Sequence, residues 1–120
     1  MSGDLISDLE RALYGIEMSR NRDRGKAYER FIAADLGGRR VGTMGKEDVI
    51  LDGYSCELKE RKKLPEFMKK CMYQAINNCS DGNEPLVFLH ELYMPHSLDV
   101  VMMPYSVFRH MYQSMKGDEK

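Results

Sequence analysis

The chain has 120 residues, 42% hydrophobic and 31% charged, with a net charge of −1. That length suits one domain with a core of its own, and the balance excludes a disordered or fibrous chain. The longest apolar run is far too short for a membrane span, and Met1-Ser2-Gly3-Asp4-Leu5-Ile6 has no basic lead into an apolar core, so neither a secretory signal nor a membrane partner is expected and a cytoplasmic protein is.

In chain order, Leu5, Ile6, Leu9, Ala12, Leu13 and Ile16 recur at helical spacing and predict a helix over 4–18. Ser19-Arg20-Asn21 reads as a joint. A second helix is expected over 22–36, with Ala27, Tyr28, Phe31, Ile32 and Leu36 as its apolar stripe and Gly37-Gly38 as its stop. A short strand is expected at 39–42. Asp52-Gly53, between Glu47–Leu51 and Tyr54–Lys59, is the signal of a two-residue hairpin with a type I′ turn.

A third helix is expected over 64–79. Leu64, Phe67, Met68, Cys71, Met72, Ala75, Ile76 and Cys79 form its stripe, and Pro65 suits its first turn. Leu86–Leu92 and Leu98–Met103 read as strands, and Pro104 opens a last helix to about 115. The expected class is α/β: one mixed sheet flanked by helices. Residues 1–20 would be a helical extension, 21–116 the main domain and 117–120 a frayed tail.

Cys56, Cys71 and Cys79 make an odd set without Cys-x-x-Cys spacing, so free buried thiols are expected rather than disulfides or a zinc site. His90, His96 and His110 show no ligand spacing and read as structural or surface residues. The ten methionines fall mostly at core-type positions.

Charge is unevenly placed. Residues 20–63 hold twelve Lys/Arg against eight Asp/Glu, a net +4, while the remainder carries −5. A basic field of this kind suits phosphate binding, and equally a solvated surface. Its candidate phosphate-contacting residues are Arg22, Arg24, Lys26, Arg30, Arg39, Arg40, Lys46, Arg61, Lys62 and Lys63.

Within the hairpin, a two-residue turn pairs Leu51 with Tyr54, Ile50 with Ser55, Val49 with Cys56 and Asp48 with Glu57. Alternation then puts Val49, Leu51, Tyr54, Cys56 and Leu58 on an apolar face and Asp48, Ile50, Ser55, Glu57 and Lys59 on the other. Two acids on one rung, their Cβ atoms roughly 5 Å apart, repel each other unless compensated. A divalent cation such as Mg²⁺ would compensate, with the Lys59 ammonium beside it where a phosphate would sit. The plain alternative is an exposed polar face with an incidental acid pair. Glu29 borders the second helix's stripe and leans over the sheet or meets solvent. Gln74 has the same choice on the third helix. A second Glu-x-Lys, Glu60-Arg61-Lys62, has the opposite parity and reads as a basic loop.

Glu29, Asp48, Glu57-Leu58-Lys59 and Gln74, in that order, resemble the PD-(D/E)xK nuclease superfamily. The similarity is nearer to Holliday-junction-resolvase-like endonucleases of archaea and phages, over about residues 22–112. Arg24–Arg30, Gly45–Val49, Cys56–Arg61, Gln74-Ala75, Pro85–Leu89 and Asp99–Tyr105 also fit. The resemblance implies a restriction-endonuclease-like fold and metal-dependent hydrolysis of DNA phosphodiesters. Asp48 and Glu57 would ligate Mg²⁺ (Mn²⁺ substituting), with the Leu58 carbonyl. Glu29 would complete the shell directly or through water, Lys59 would orient water, and Gln74 would support the site. Glu47 stands where the family usually has proline. Branched or four-way DNA and a homodimer are the expected partners. The alternative is a catalytically inactive DNA-binding or assembly protein on the same scaffold.

Overall fold

Three helices and two small antiparallel sheets are formed by residues 21–42 and 47–118, which the computed structural model describes. The expected helix over 4–18 and Lys46 lie outside the described residues. The class is mixed α/β, as expected, but the strands do not join one mixed sheet. The chain divides between Glu60 and Arg61 into two compact units.

In the first unit, helix α1 (Asn21–Leu36) is followed by strands β1 (Arg39–Arg40), β2 (Val49–Leu51) and β3 (Tyr54–Cys56). The sheet order is β1-β2-β3. Arg39 pairs with Ile50 and Arg40 with Val49; Val49, Ile50 and Leu51 pair with Cys56, Ser55 and Tyr54. The hairpin register is the one expected from Asp52-Gly53.

The turn itself differs from expectation. Gly53 has φ 86°, and Asp52 does not share the left-handed conformation, so the pattern is that of a type II turn rather than type I′. Glycine takes the left-handed position without the steric cost a Cβ would add at Asp52. Type II geometry splays the strands, consistent with β2 and β3 stopping after three residues each.

α1 packs across β1 and β2. Ile32, Ala33 and Leu36 are buried with Val49 and Leu51, Val49 fully. This stripe is narrower than the sequence suggested: Phe31 and Tyr28 are exposed, and so is Tyr54, which alternation placed in the core. A sheet of two- and three-residue strands covers only about one helical turn's worth of side chains. α1 ends in a Schellman motif. Gly37 sits at φ 69°, and the Gly38 N–H donates to the Ala33 carbonyl at 2.7 Å. The chain then turns so closely over β2 that a Cβ on Gly38 would meet Leu51 Cδ2 at 2.5 Å and the Ile50 carbonyl oxygen at 2.7 Å.

The second unit holds helix α2 (Glu66–Asn77), β4 (Val87–Leu89), a 3₁₀ turn (His96–Leu98), β5 (Val100–Met102) and α3 (Tyr105–Asp118). Pro65 caps α2 from just outside, its carbonyl accepting from the Lys69 N–H at 3.2 Å. Met68, Cys71, Met72, Ala75 and Cys79 are half-buried, whereas Leu64, Phe67 and Ile76 are exposed. α2 packs on β4, and among the described residues β4 pairs only with β5, antiparallel: Val87 with Met102, Phe88 with Val101, Leu89 with Val100. The ten residues between them suffice for an antiparallel return but not for a parallel crossover. α3 runs through Gly117 and Asp118, beyond the point where fraying was expected, and buries Val107 and Tyr112.

Candidate functional site

The site expected on the hairpin begins at Asp48, one residue before β2. Its main chain is held from both sides. The Val41 N–H donates to the Asp48 carbonyl at 3.1 Å, and the Asp48 N–H donates to the Cys56 carbonyl at 2.9 Å. Cys56 is already the partner of Val49. Asp48 and Val49 therefore both lie against one residue, as at a β-bulge, and the expected Asp48–Glu57 rung is not made. β3 ends at Cys56, and Glu57 onward leaves the ladder.

The acids meet nonetheless, by a different route. As the chain departs, the Leu58 N–H donates to Asp48 Oδ2 at 2.7 Å. This sets Glu57 and Lys59, the residues on either side of Leu58, next to the same carboxyl. The Leu58 N–H is the main reason the Asp48 carboxyl is held below the ordinary carboxylate range. Partial desolvation opposes it, and the Glu57 hydrogen bond and the Lys59 charge add to it. Lys59 Nζ stands 4.0 Å from Glu57 Oε2, with side-chain exposures of 83% and 59%. Asp48 is thus fixed by backbone, while Glu57 and Lys59 face water and remain open to a ligand.

Glu29 takes another place. It lies a turn before Ile32 and Ala33 on α1, half-buried, and its Oε2 accepts from Arg40 Nη2 at 2.9 Å and Nε at 3.2 Å. It does not join Asp48 and Glu57 as a third donor among the described residues. Arg40 shares the rung of fully buried Val49 and so points toward the helix side, where Glu29 is the available acid. Gln74 lies on α2 in the second unit, exposed.

Of the basic residues, Lys26, Arg30 and Arg39 in the first unit and Arg61, Lys62 and Lys63 in the second are exposed. Arg40 is occupied by Glu29. Arg22 and Arg24 lie on α1 with side chains outside the described set. Cys56, Cys71 and Cys79 are free and half-buried rather than fully buried, and partial burial pushes the Cys56 thiol up.

Sequence reasoning missed a cluster in the second unit. His90 Nδ1 lies 2.6 Å from Asp99 Oδ1, and His96 Nδ1 3.0 Å from Asp99 Oδ2. The two rings stack, centroids 4.2 Å apart. The only signal for it is the spacing His-x₅-His-x₂-Asp across a strand–turn–strand. No family model, no curated protein and no solved structure matches the chain.

Proposed function

We propose that this chain is a metal-dependent DNA endonuclease of the PD-(D/E)xK kind, acting on phosphodiesters of branched or four-way DNA. One observation carries the reading: the Leu58 N–H pins Asp48 Oδ2 at 2.7 Å, and the residues flanking Leu58 are Glu57 and Lys59, whose Oε2 and Nζ stand 4.0 Å apart. Two adjacent carboxylates of an exposed site are a hard-oxygen donor set of the type that Mg²⁺ or Mn²⁺ takes. The donors fit in kind: Asp48 and the exposed Glu57 offer carboxylate oxygens, and the Leu58 N–H fixes the Asp48 carboxyl through Oδ2.

Asp48 and Glu57 would hold the ion, with the Leu58 carbonyl as a further donor. The bound cation would supply positive charge that polarises a scissile phosphate. Lys59 would donate to a phosphate oxygen and orient water next to it. Asp48 stays ionised because the Leu58 N–H holds it so. Glu29 keeps Arg40 in place beside β2. Lys26, Arg30, Arg39, Arg61, Lys62 and Lys63 would contact the DNA backbone, giving a salt-dependent affinity. A homodimer would present two such hairpins for paired cuts.

The test is cleavage of four-way and linear duplex DNA with Mg²⁺ or Mn²⁺, by wild type, Glu57→Ala and Lys59→Ala. Both substituted residues are exposed, so the fold should persist. Cutting by wild type and loss of about 10²-fold or more in each variant is expected. Equal cutting by Glu57→Ala would reject the site. Junction binding without cutting in either metal would support the non-catalytic reading, which the engagement of Glu29 by Arg40 and the net charge of −1 favour.

A further inference from the structure

We propose that His90, His96 and Asp99 form a transition-metal site, separate from the hairpin acids and selective for ions that prefer imidazole nitrogen, Zn²⁺ foremost. The three residues come from one ten-residue segment of the second unit, so local backbone geometry alone assembles them. Leu89 pairs with Val100 at the end of the ladder, and the chain just beyond that pair brings His90 Nδ1 to 2.6 Å from Asp99 Oδ1. His96 opens the 3₁₀ turn, and in that helix residues three apart eclipse, which brings its ring over Asp99.

Among the described residues, this is the one group of three His, Cys, Asp or Glu side chains with ligand atoms within 4.8 Å of one another. Both Nδ1 atoms aim at the same carboxylate, one at each oxygen. Each Nδ1 meets the carboxylate in a hydrogen bond, and binding an ion there would leave each ring's proton on Nε2, freeing Nδ1 to ligate. A dication placed there satisfies the same three groups at once. Zn–N and Zn–O bonds of about 2.0–2.1 Å at tetrahedral angles set ligand atoms roughly 3.4 Å apart. The imidazole–carboxylate contacts of 2.6 and 3.0 Å would open by less than about 1 Å, and the widest pair, within 4.8 Å, would close by about 1.4 Å at most.

Two imidazoles and one carboxylate suit Zn²⁺, Co²⁺ or Ni²⁺ and discriminate against Mg²⁺, which seeks an all-oxygen shell. His90 and Asp99 are the more covered members, with side-chain exposures of 32% and 22%, while His96 is 82% exposed. A bound ion would thus keep an open side toward water, the arrangement of a three-ligand site with an exchangeable fourth position.

The test uses Co²⁺ as a spectroscopic probe and Zn²⁺ as competitor, on the full chain. With excess Mg²⁺ present to fill the hairpin acids, wild type should take up one Co²⁺ with visible ligand-field absorption, and equimolar Zn²⁺ should abolish it. His96→Ala and Asp99→Asn should each weaken uptake by about a hundredfold or more, beyond the effect of losing an outer partner. Circular dichroism should show His96→Ala folded, since the side chain is exposed. Glu57→Ala and a Cys71→Ser/Cys79→Ser double variant should bind as wild type does, which separates this site from the hairpin acids and from the thiols. Absence of the absorption in wild type, or its retention in His96→Ala, overturns the proposal, and so does its loss in Glu57→Ala or the cysteine double variant.

Discussion

Substitution of Gly38 by alanine tests how β2, and with it Asp48, is held. The added Cβ would lie 2.5 Å from Leu51 Cδ2 and 2.7 Å from the Ile50 carbonyl oxygen. Leu51 is only 2% exposed and has no free direction in which to swing, and the carbonyl belongs to the central strand. The helix-to-strand connection must therefore lift off β2. Overpacking of this kind costs about 1–3 kcal/mol, less the few tenths to 1 kcal/mol that alanine gains by restricting the unfolded chain. Gly42→Ala is the matched control, because a Cβ there meets nothing within 4 Å. Urea unfolding followed by circular dichroism should give a lower midpoint for Gly38→Ala, with Gly42→Ala equal to wild type or slightly above it. Amide exchange should quicken at Val41, whose N–H reaches the Asp48 carbonyl. Equal midpoints for the two variants would refute the close-approach argument.

Val49→Ala, at a fully buried position, should cost about 2 kcal/mol, against less than about 0.5 kcal/mol for Val101→Ala at 46% exposure, both read from urea midpoints. A double-mutant cycle between Glu29→Gln and Arg40→Ala should show a coupling of about 1 kcal/mol, modest because both side chains still see water; zero coupling would mean that the pair does not form in solution. The Asp48 carboxyl is depressed, so its ionised form favours folding at neutral pH, and that contribution is lost as pH falls below about 4 through the folded-state value. The stability gap between wild type and Asp48→Asn should accordingly narrow between pH 5 and pH 3 (roughly the carboxylate titration range), and a gap that widens on acidification would contradict the Leu58 N–H assignment.

The parts legible from sequence were those decided by neighbours in the chain. The hairpin register followed from Asp52-Gly53, and the end of α1 from Gly37-Gly38, because a left-handed turn residue commits only a few bonds around it. The α/β class followed from periodicity. The single mixed sheet did not, because strand pairing depends on which edges come together, and three-residue strands carry too little pattern to choose. The candidate site divides along the same line. The closeness of Asp48, Glu57 and Lys59 was foreseeable from their spacing about the turn, although a bulge at Asp48 and the Leu58 N–H produce it rather than a regular rung. Glu29 shows the opposite case. Its position on the edge of the α1 stripe was readable, yet its partner depends on the register of β1, which sets Arg40 on the helix-facing side opposite Val49. A guanidinium beside a carboxylate in a half-buried setting outcompetes a more distant cluster of like charges, so Glu29 turns to Arg40 rather than toward the acids. His90 and Asp99 were invisible for a related reason. They are nine residues apart in sequence and become neighbours only through the Leu89–Val100 rung, a pairing that no local propensity specifies.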